Sequence, residues 1–247
     1  MSDILLTIVM PAYNEGKRIG LALEKTLAYL DRQPFASQVI VVDDGSHDNT
    51  LQVIEDYARA SNLRLLRNES NRGKGYSIRR GVAEATGRYV GFADADYKTP
   101  IEEFDKLLPW LQDGFDVVIG SRGLQESRIE VAQPLYRQLG SKAFAVAMHL
   151  LIGLSEIHDT QCGFKFFRRE VALDVFSRQQ VDGYMFDVES LAIAEGLGYR
   201  IKQVPIRWHN DADSRYKVVS GTLRNLAELI RIRLRLWRNP PARDRSP

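Results

Sequence analysis

Asp94 and Asp96 stand one residue apart at the end of the apolar run Tyr89-Val90-Gly91-Phe92-Ala93. Alternate residues of a strand point to the same side, so where the strand ends these two carboxylates can serve a hard divalent cation together. A second acidic pair, Asp43-Asp44, closes the run Gln38-Val39-Ile40-Val41-Val42 in the same way. A lone aspartate at a strand end also stops the strand and caps the helix that follows. Two apolar strands that both end in acids point further, to an α/β sheet whose ligand site lies at the carboxyl ends of its strands.

The elements that must carry these residues follow from the pattern. Leu5 to Met10 reads as a strand ending in Pro11-Ala12-Tyr13-Asn14-Glu15-Gly16, then an amphipathic helix from Lys17 to Asp31. After the second strand, Gln38 to Val42, a segment rich in side-chain acceptors leads into a helix over 50–60. Leu63 to Arg67 is a third strand, Asn71-Arg72-Gly73-Lys74-Gly75 a glycine-spaced basic loop, and Tyr76 to Ala85 a helix. The acidic strand comes next. Pro100 opens a helix through Leu111, and Asp116 to Ile119 is a strand ending in Gly120-Ser121-Arg122. Strands alternating with helices predict a parallel sheet with right-handed crossovers.

Composition excludes several classes. With 44% hydrophobic and 27% charged residues in 247, the chain has the content of a globular α/β domain. The single Cys162 allows no internal disulfide and no cysteine metal cluster, and Met1-Ser2-Asp3 does not resemble a secretory leader, so a reducing cytoplasmic location is expected. The apolar segment Ala143 to Leu154 is far short of the ~20 residues of a spanning helix. Neither G-x-G-x-x-G after the first strand, nor G-x-x-x-x-G-K-[ST], nor G-x-S-x-G is present, which removes dinucleotide-dependent hydride transfer, P-loop hydrolysis and nucleophile-elbow chemistry.

Charge is uneven. From Arg215 onward nine basic residues face two acidic ones, a net of +7, which leaves −5 on the rest of a chain of net charge +2. Leu223, Leu226, Ala227, Ile230, Leu234 and Trp237 fall at helical spacing with arginines between them, as in helices that lie in a lipid interface. The same spacing serves a helix packed on the domain, and the alternation from Ile230 to Leu236 also fits a strand. Nucleic acid is disfavoured as the anionic partner, because the tail lacks aromatics interleaved for base stacking.

Taken together, Pro11-Ala12-Tyr13-Asn14-Glu15, Asp43-Asp44-Gly45-Ser46 with Asp48 and Thr50, Asn71 to Gly75, Asp94-Ala95-Asp96 and Asp159-Thr160-Gln161-Cys162-Gly163-Phe164-Lys165 resemble the motifs of family 2 glycosyltransferases. Within that family they are most similar to the polyprenyl- and dolichyl-phosphate glucosyltransferases. The resemblance implies a glycosyltransferase-A fold, a mainly parallel sheet flanked by helices over 1–210, with a basic loop and amphipathic helix over 211–247. It implies inverting transfer of a sugar, glucose from UDP-glucose, to a polyprenyl or dolichyl phosphate at the cytoplasmic membrane surface, where the amphipathic stretch over 218–238 is the expected attachment. GDP-mannose as donor and a soluble sugar or small-alcohol acceptor are the alternatives, and an oligomer is compatible with it.

By the same resemblance Pro11, Tyr13, Glu15, Asp44, Lys74, Asp94 and Arg215 bind the nucleotide sugar, while Asp94 and Asp96 hold magnesium or manganese on its diphosphate. Lys98 stands where related mannose enzymes often carry a glutamine, and it cannot ligate a metal. Arg122, Arg137, Ser141 and Lys217 match positions around the acceptor phosphate, for which arginine's bidentate fork is suited. Asp159 matches a position that orients the acceptor or acts as base, although a helix-capping aspartate is equally compatible with it. His209 is a candidate metal or diphosphate contact, Cys162 reads as a small buried side chain, and His47 and His149 as structural.

Overall fold

The computed structural model describes residues 3–61, 63–129, 148, 151–209 and 218–241, with side chains for all of these except 60 and 218–224. The first half repeats strand and helix: β1 (Ile4–Ala12), α1 (Ile19–Leu30), β2 (Ala36–Asp43), α2 (Thr50–Ala60), β3 (Leu63–Arg67), α3 (Lys74–Ala83) and β4 (Tyr89–Ala93). A 3-10 turn, Ile101–Glu103, runs into α4 (Phe104–Gln112), and β5 (Val117–Ser121) and β6 (Arg128–Ile129) follow. The second half holds β7 (Phe164–Arg168), α5 (Arg169–Arg178), α6 (Phe186–Gly196), β8 (Ile201–Pro205), β9 (Arg207–Trp208) and α7 (Val218–Arg238).

Seven strands form one sheet in the order β3-β2-β1-β4-β7-β5-β8, and β6 pairs with β9 beside it. β1 is parallel to both β2 and β4, with Met10 opposite Val41 and Val9 opposite Phe92. β4 and β5 are buried along their whole length. Such strands read as unbroken apolar runs because both faces are covered by helices. Alternation then sends neighbours to opposite cores. Leu6, Ile8 and Met10 pack with Leu23, Ile54, Phe104 and Leu107, whereas Val9 packs with Ile78, Val82, Phe176 and Phe186.

The sheet is not wholly parallel. β7 lies between β4 and β5 and runs antiparallel to both, placing Lys165 opposite Phe92 on one side and Ile119 on the other. The 21-residue α7 is helical throughout, so the strand alternative for Ile230 to Leu236 does not hold. It buries Asn225, Leu229 and Ile232, the last two within the core that also contains Phe186 and Leu191, while Ile230, Leu234 and Trp237 stay exposed. No described helix is long and apolar enough to cross a membrane.

Candidate functional site

The loops that follow β1, β2, β3 and β4 meet at one end of the sheet. Asn14 Oδ1 accepts the His47 N–H at 2.9 Å and the Asn14 N–H donates to Ser46 Oγ at 3.0 Å, which ties the loop after β1 to the loop after β2. Asp44 is buried, and it shapes the loop after β3. Its Oδ1 accepts from Asn68 Nδ2 at 2.6 Å and from the Arg72 N–H at 2.9 Å, and its Oδ2 accepts the Gly73 N–H at 2.8 Å. Gly73 takes φ 107°, and a Cβ there would meet the Asp182 carbonyl, so the basic loop needs glycine at this point. The loop hands over to α3 at its first residue, Lys74.

Together these loops wall a cleft of about 500 Å³, within the size range of small-ligand sites. Pro11, Tyr13, Glu15, Asp44, Lys74, Asp94, Asp96 and Lys98 line it, and Gly183 and Tyr184 approach from the loop before α6. Every described residue assigned to the nucleotide sugar from sequence therefore faces one cleft. Arg215 lies outside the described residues.

The acidic pair sits where β4 ends. Lys74 Nζ is 2.6 Å from Asp94 Oδ1, and Lys98 Nζ is 2.8 Å from Asp96 Oδ2. Burial works against the charge on Lys74, but Asp94 and Asp187 outweigh it and hold its pKa above the usual lysine value. Tyr97, directly after the pair, has φ 54°. That is a rare conformation for a bulky side chain, and such strain gathers at ligand sites. The His209 N–H donates to the Lys98 carbonyl at 2.8 Å and so braces the same turn by its backbone. A Cβ on Gly163 would fall inside the Asp94 carboxylate, so only glycine allows the 159–165 segment this close to the pair.

Among the described residues no group of three or more His, Cys, Asp or Glu forms a metal cage. Magnesium is nevertheless commonly bound through one or two carboxylates, with substrate phosphates and water completing its shell. Two carboxylates beside a cleft of this size fit that donor set.

A further ion pair joins the end of β5 to the 159–165 segment. Arg122 grips Asp159 bidentately, Nε to Oδ2 at 2.7 Å and Nη2 to Oδ1 at 2.9 Å, and its own N–H donates to Oδ2 at 2.9 Å. Burial would raise the Asp159 pKa, but the guanidinium and these hydrogen bonds override it and hold the carboxyl below its usual range. The Arg122 guanidinium also lies over the Trp208 ring, 5.2 Å from its centre. Arg137, Ser141 and Lys217, the other residues matched to the acceptor phosphate, lie outside the described residues, as does His149. Cys162 is buried, and burial followed by the nearby Asp159 pushes its thiol up to about 12, which suits an inert side chain.

Asp187 and Glu189, whose types and spacing fit N-terminal helix charges or a segment beside the sugar pocket, stand in the first turn of α6, but their cationic partners are not read from the sequence. Lys165, fully buried within β7, donates at 2.5 Å to Asp187 Oδ1 and at 2.5 Å to the Cys162 carbonyl. Burial raises the Asp187 pKa, with Lys165 and Lys74 opposing. Glu189 is fully buried as well. It accepts the Gln180 and Val181 N–H groups and pairs with Arg235 of α7. Arg235 therefore turns into the domain, unlike Arg231, Arg233 and Arg238, which stay exposed. The available signal was a lysine inside the apolar run Phe164-Lys165-Phe166-Phe167, since a charge there must be paired.

Comparison with known proteins agrees with this architecture. The model for Glycosyl transferase family 2 matches residues 7–176. A dolichyl-phosphate beta-glucosyltransferase of Trichomonas vaginalis is 36% identical over 254 residues, covering 96% of this chain and 74% of the relative. The Homo sapiens dolichyl-phosphate beta-glucosyltransferase is 34% identical, covering 93% of this chain and 75% of the relative. Among solved structures, glucosyl-3-phosphoglycerate synthase from Mycobacterium tuberculosis in complex with Mn2+, UDP-glucose and phosphoglyceric acid superposes with a TM-score of 0.70 at 21% identity, covering 93% of this chain and 79% of that one. The sheet and its flanking helices are those of the glycosyltransferase-A fold. By its matched family model and by relatives more than 30% identical over most of both chains, this protein belongs to glycosyl transferase family 2.

Proposed function

We propose that the chain transfers glucose from UDP-glucose to a polyprenyl phosphate of the dolichyl type, with inversion, at a membrane surface. The observation that carries this reading is the acidic pair Asp94 and Asp96 beside a nucleotide-sized cleft, each carboxylate faced by a lysine. The relatives' activity on dolichyl phosphate supports the choice of acceptor.

Tyr13, Glu15 and Asp44 bind the nucleoside, with carboxylates accepting charge-assisted bonds from ribose hydroxyls. Asp94 and Asp96 would hold magnesium or manganese, which neutralises the leaving nucleoside diphosphate. Lys74 and Lys98 add fixed cations at the same phosphates. The attacking group is a phosphate oxygen, already ionised near neutral pH with a second pKa of ~6, so it needs positioning more than deprotonation. Asp159, held ionised by Arg122, is a weak base, which suits an orienting role better than proton abstraction. Direct displacement turns an α-linked donor into a β-linked product without a glycosyl-enzyme intermediate.

Attachment falls to α7. Ala227, Ile230, Leu234 and Trp237 form an exposed stripe along one face, flanked by exposed Arg231, Arg233 and Arg238, the pattern of a helix lying in a lipid interface. Leu229 and Ile232 anchor the opposite face to the core.

The test is a screen of UDP-glucose, other UDP-sugars and GDP-mannose against a short polyprenyl phosphate and against phosphoglycerate. The expected result is β-linked glucosyl phosphate on the lipid, from UDP-glucose only and abolished by EDTA. Transfer to phosphoglycerate alone would move the reading to a soluble acceptor, and an α-linked product would contradict direct displacement.

A further inference from the structure

Each carboxylate of the acidic pair has a cation supplied by the chain itself. Lys74 Nζ lies 2.6 Å from Asp94 and Lys98 Nζ 2.8 Å from Asp96, and the two lysine side chains are only 20% and 17% exposed. Three other described cations of this region are paired elsewhere: Lys165 with Asp187, Arg122 with Asp159, Arg18 with Glu15. Neither lysine is a drifting surface side chain. Lys74 begins α3 at the end of a loop clamped by Asp44, and Lys98 follows the Tyr97 turn, braced by the His209 N–H.

This pairing bears on how a divalent cation reaches the carboxylates. A dication placed on Asp94 and Asp96 with both ammonium groups still present leaves the part-buried pair with two uncompensated positive charges, and such charge is costly away from bulk water. A nucleotide-sugar diphosphate brings two negative charges. Its oxygens also accept the lysine N–H donors, whose compact, rotatable heads suit phosphate as point charges. Conversely, a diphosphate that enters without the cation adds two negative charges to a pair already matched. Only when both arrive do carboxylates, lysines, cation and diphosphate balance.

We propose that Lys98, with Lys74, acts as an internal counter-ion that makes divalent-cation binding conditional on the donor diphosphate. The proposal rests on the reading of Asp94 and Asp96 as the cation's ligands. Lys98 is the more specific element of the two. It follows Asp96 by two residues, so its ammonium has one carboxylate to return to, whereas Lys74 also feels Asp187. Because coupling between two ligands is reciprocal, the same lysine raises the cation's effect on nucleotide affinity.

The experiment is titration of the full chain with Mn2+, followed by electron paramagnetic resonance of the free ion, with and without saturating UDP. For the wild type, UDP is expected to tighten Mn2+ binding by about tenfold or more, within the usual range of site-to-site coupling. Lys98→Gln and Lys98→Met should bind Mn2+ without UDP about tenfold more tightly than the wild type and gain little from UDP. Lys98→Arg, which keeps the charge, should behave as the wild type, and thermal melts of all three establish that they are folded. The proposal is overturned if the two neutral variants bind Mn2+ alone no better than the wild type, or if Lys98→Arg shifts as they do. Asp96→Asn separates the premise from the inference: if it binds Mn2+ with UDP as the wild type does, the ligand assignment itself fails. If it loses that binding while the neutral Lys98 variants show no change, only the counter-ion role fails.

Discussion

Up to β4, the described site residues gather where strands end: Pro11 at the end of β1 with Tyr13 and Glu15 just after it, Asp44 after β2, Lys74 where the loop after β3 enters α3, Asp94 and Asp96 after β4. Beyond β4 the ordering falls to ion pairs between separate elements. Arg122 is set by Asp159, 37 residues away, Lys165 by Asp187, 22 away, and the buried Glu103 by Arg207, 104 away. The first half places chemistry by strand ends that the fold provides in any case. In the second half, ion pairs inside the protein take over part of the work of secondary structure, and they set both stability and the approach of Gly163 to Asp94.

The contrast is sharpest between two lysines. Lys165→Met leaves Asp187 buried without its cation, and removing one partner of a buried pair costs about 3–5 kcal/mol. For a chain of this size that is a fall on the order of 10 °C in melting temperature, read by calorimetry. Lys74→Met leaves Asp94, whose side chain is 38% exposed, able to hydrate. It should cost under about 1 kcal/mol, as for exposed pairs, while donor binding weakens. Equal destabilisation by the two would end the distinction.

The tail offers the next largest effect. Arg231, Arg233 and Arg238 are exposed, and each arginine close to an anionic surface contributes about 1 kcal/mol, so changing all three to Gln should weaken binding to anionic liposomes by about 3 kcal/mol. Arg235→Gln should act differently, lowering the melting temperature through Glu189 with little change in liposome affinity. Liposome binding indifferent to salt and to the three substitutions would return α7 to a purely packing role.

Asp159 should show the second half's dependence on charge through pH. Its folded pKa is depressed by Arg122 against the opposing effect of burial. Its contribution is therefore fully present above the unfolded carboxylate value, ~3.9, and lost as pH falls through the lower folded one. Asp159→Asn should be about 2 kcal/mol less stable than the wild type at neutral pH, the order of a charged hydrogen bond, with the two converging in strong acid. A constant gap down to acid would remove the ionic origin. The smallest effect is at Cys162, which should stay unreactive to thiol reagents at pH 8 until the protein is denatured.

The sequence shows the two halves unequally. Parallel strands covered on both faces appear as apolar runs, so β1, β2, β4 and β5 stand out, β2 and β4 with their terminal acids, and their common direction follows from the intervening helices. β7 does not, because Lys165 breaks its run and nothing in a run encodes that a late strand inserts antiparallel between β4 and β5. In α7 two helical faces overlap: Leu229, Ile232 and Leu236 turn inward while Ile230, Leu234 and Trp237 turn out. Their superposition produces the alternation that imitates a strand. The lysine partners of Asp94 and Asp96 were visible as residues, yet pairing Lys74 with Asp94 requires the loop after β3 to meet the end of β4, which is a property of the sheet order.

Transfer of a sugar to a lipid phosphate turns on the acidic pair. The most direct measurement is lipid-linked glucose formed from radiolabelled UDP-glucose and a short polyprenyl phosphate with Mn2+, for the wild type beside Asp96→Asn at matched folding. The wild type should turn over, and the variant should lose several kcal/mol of transition-state stabilisation, about a thousandfold or more in rate. Near-normal turnover by Asp96→Asn would contradict this role, as would the absence of lipid-linked glucose with folded wild type.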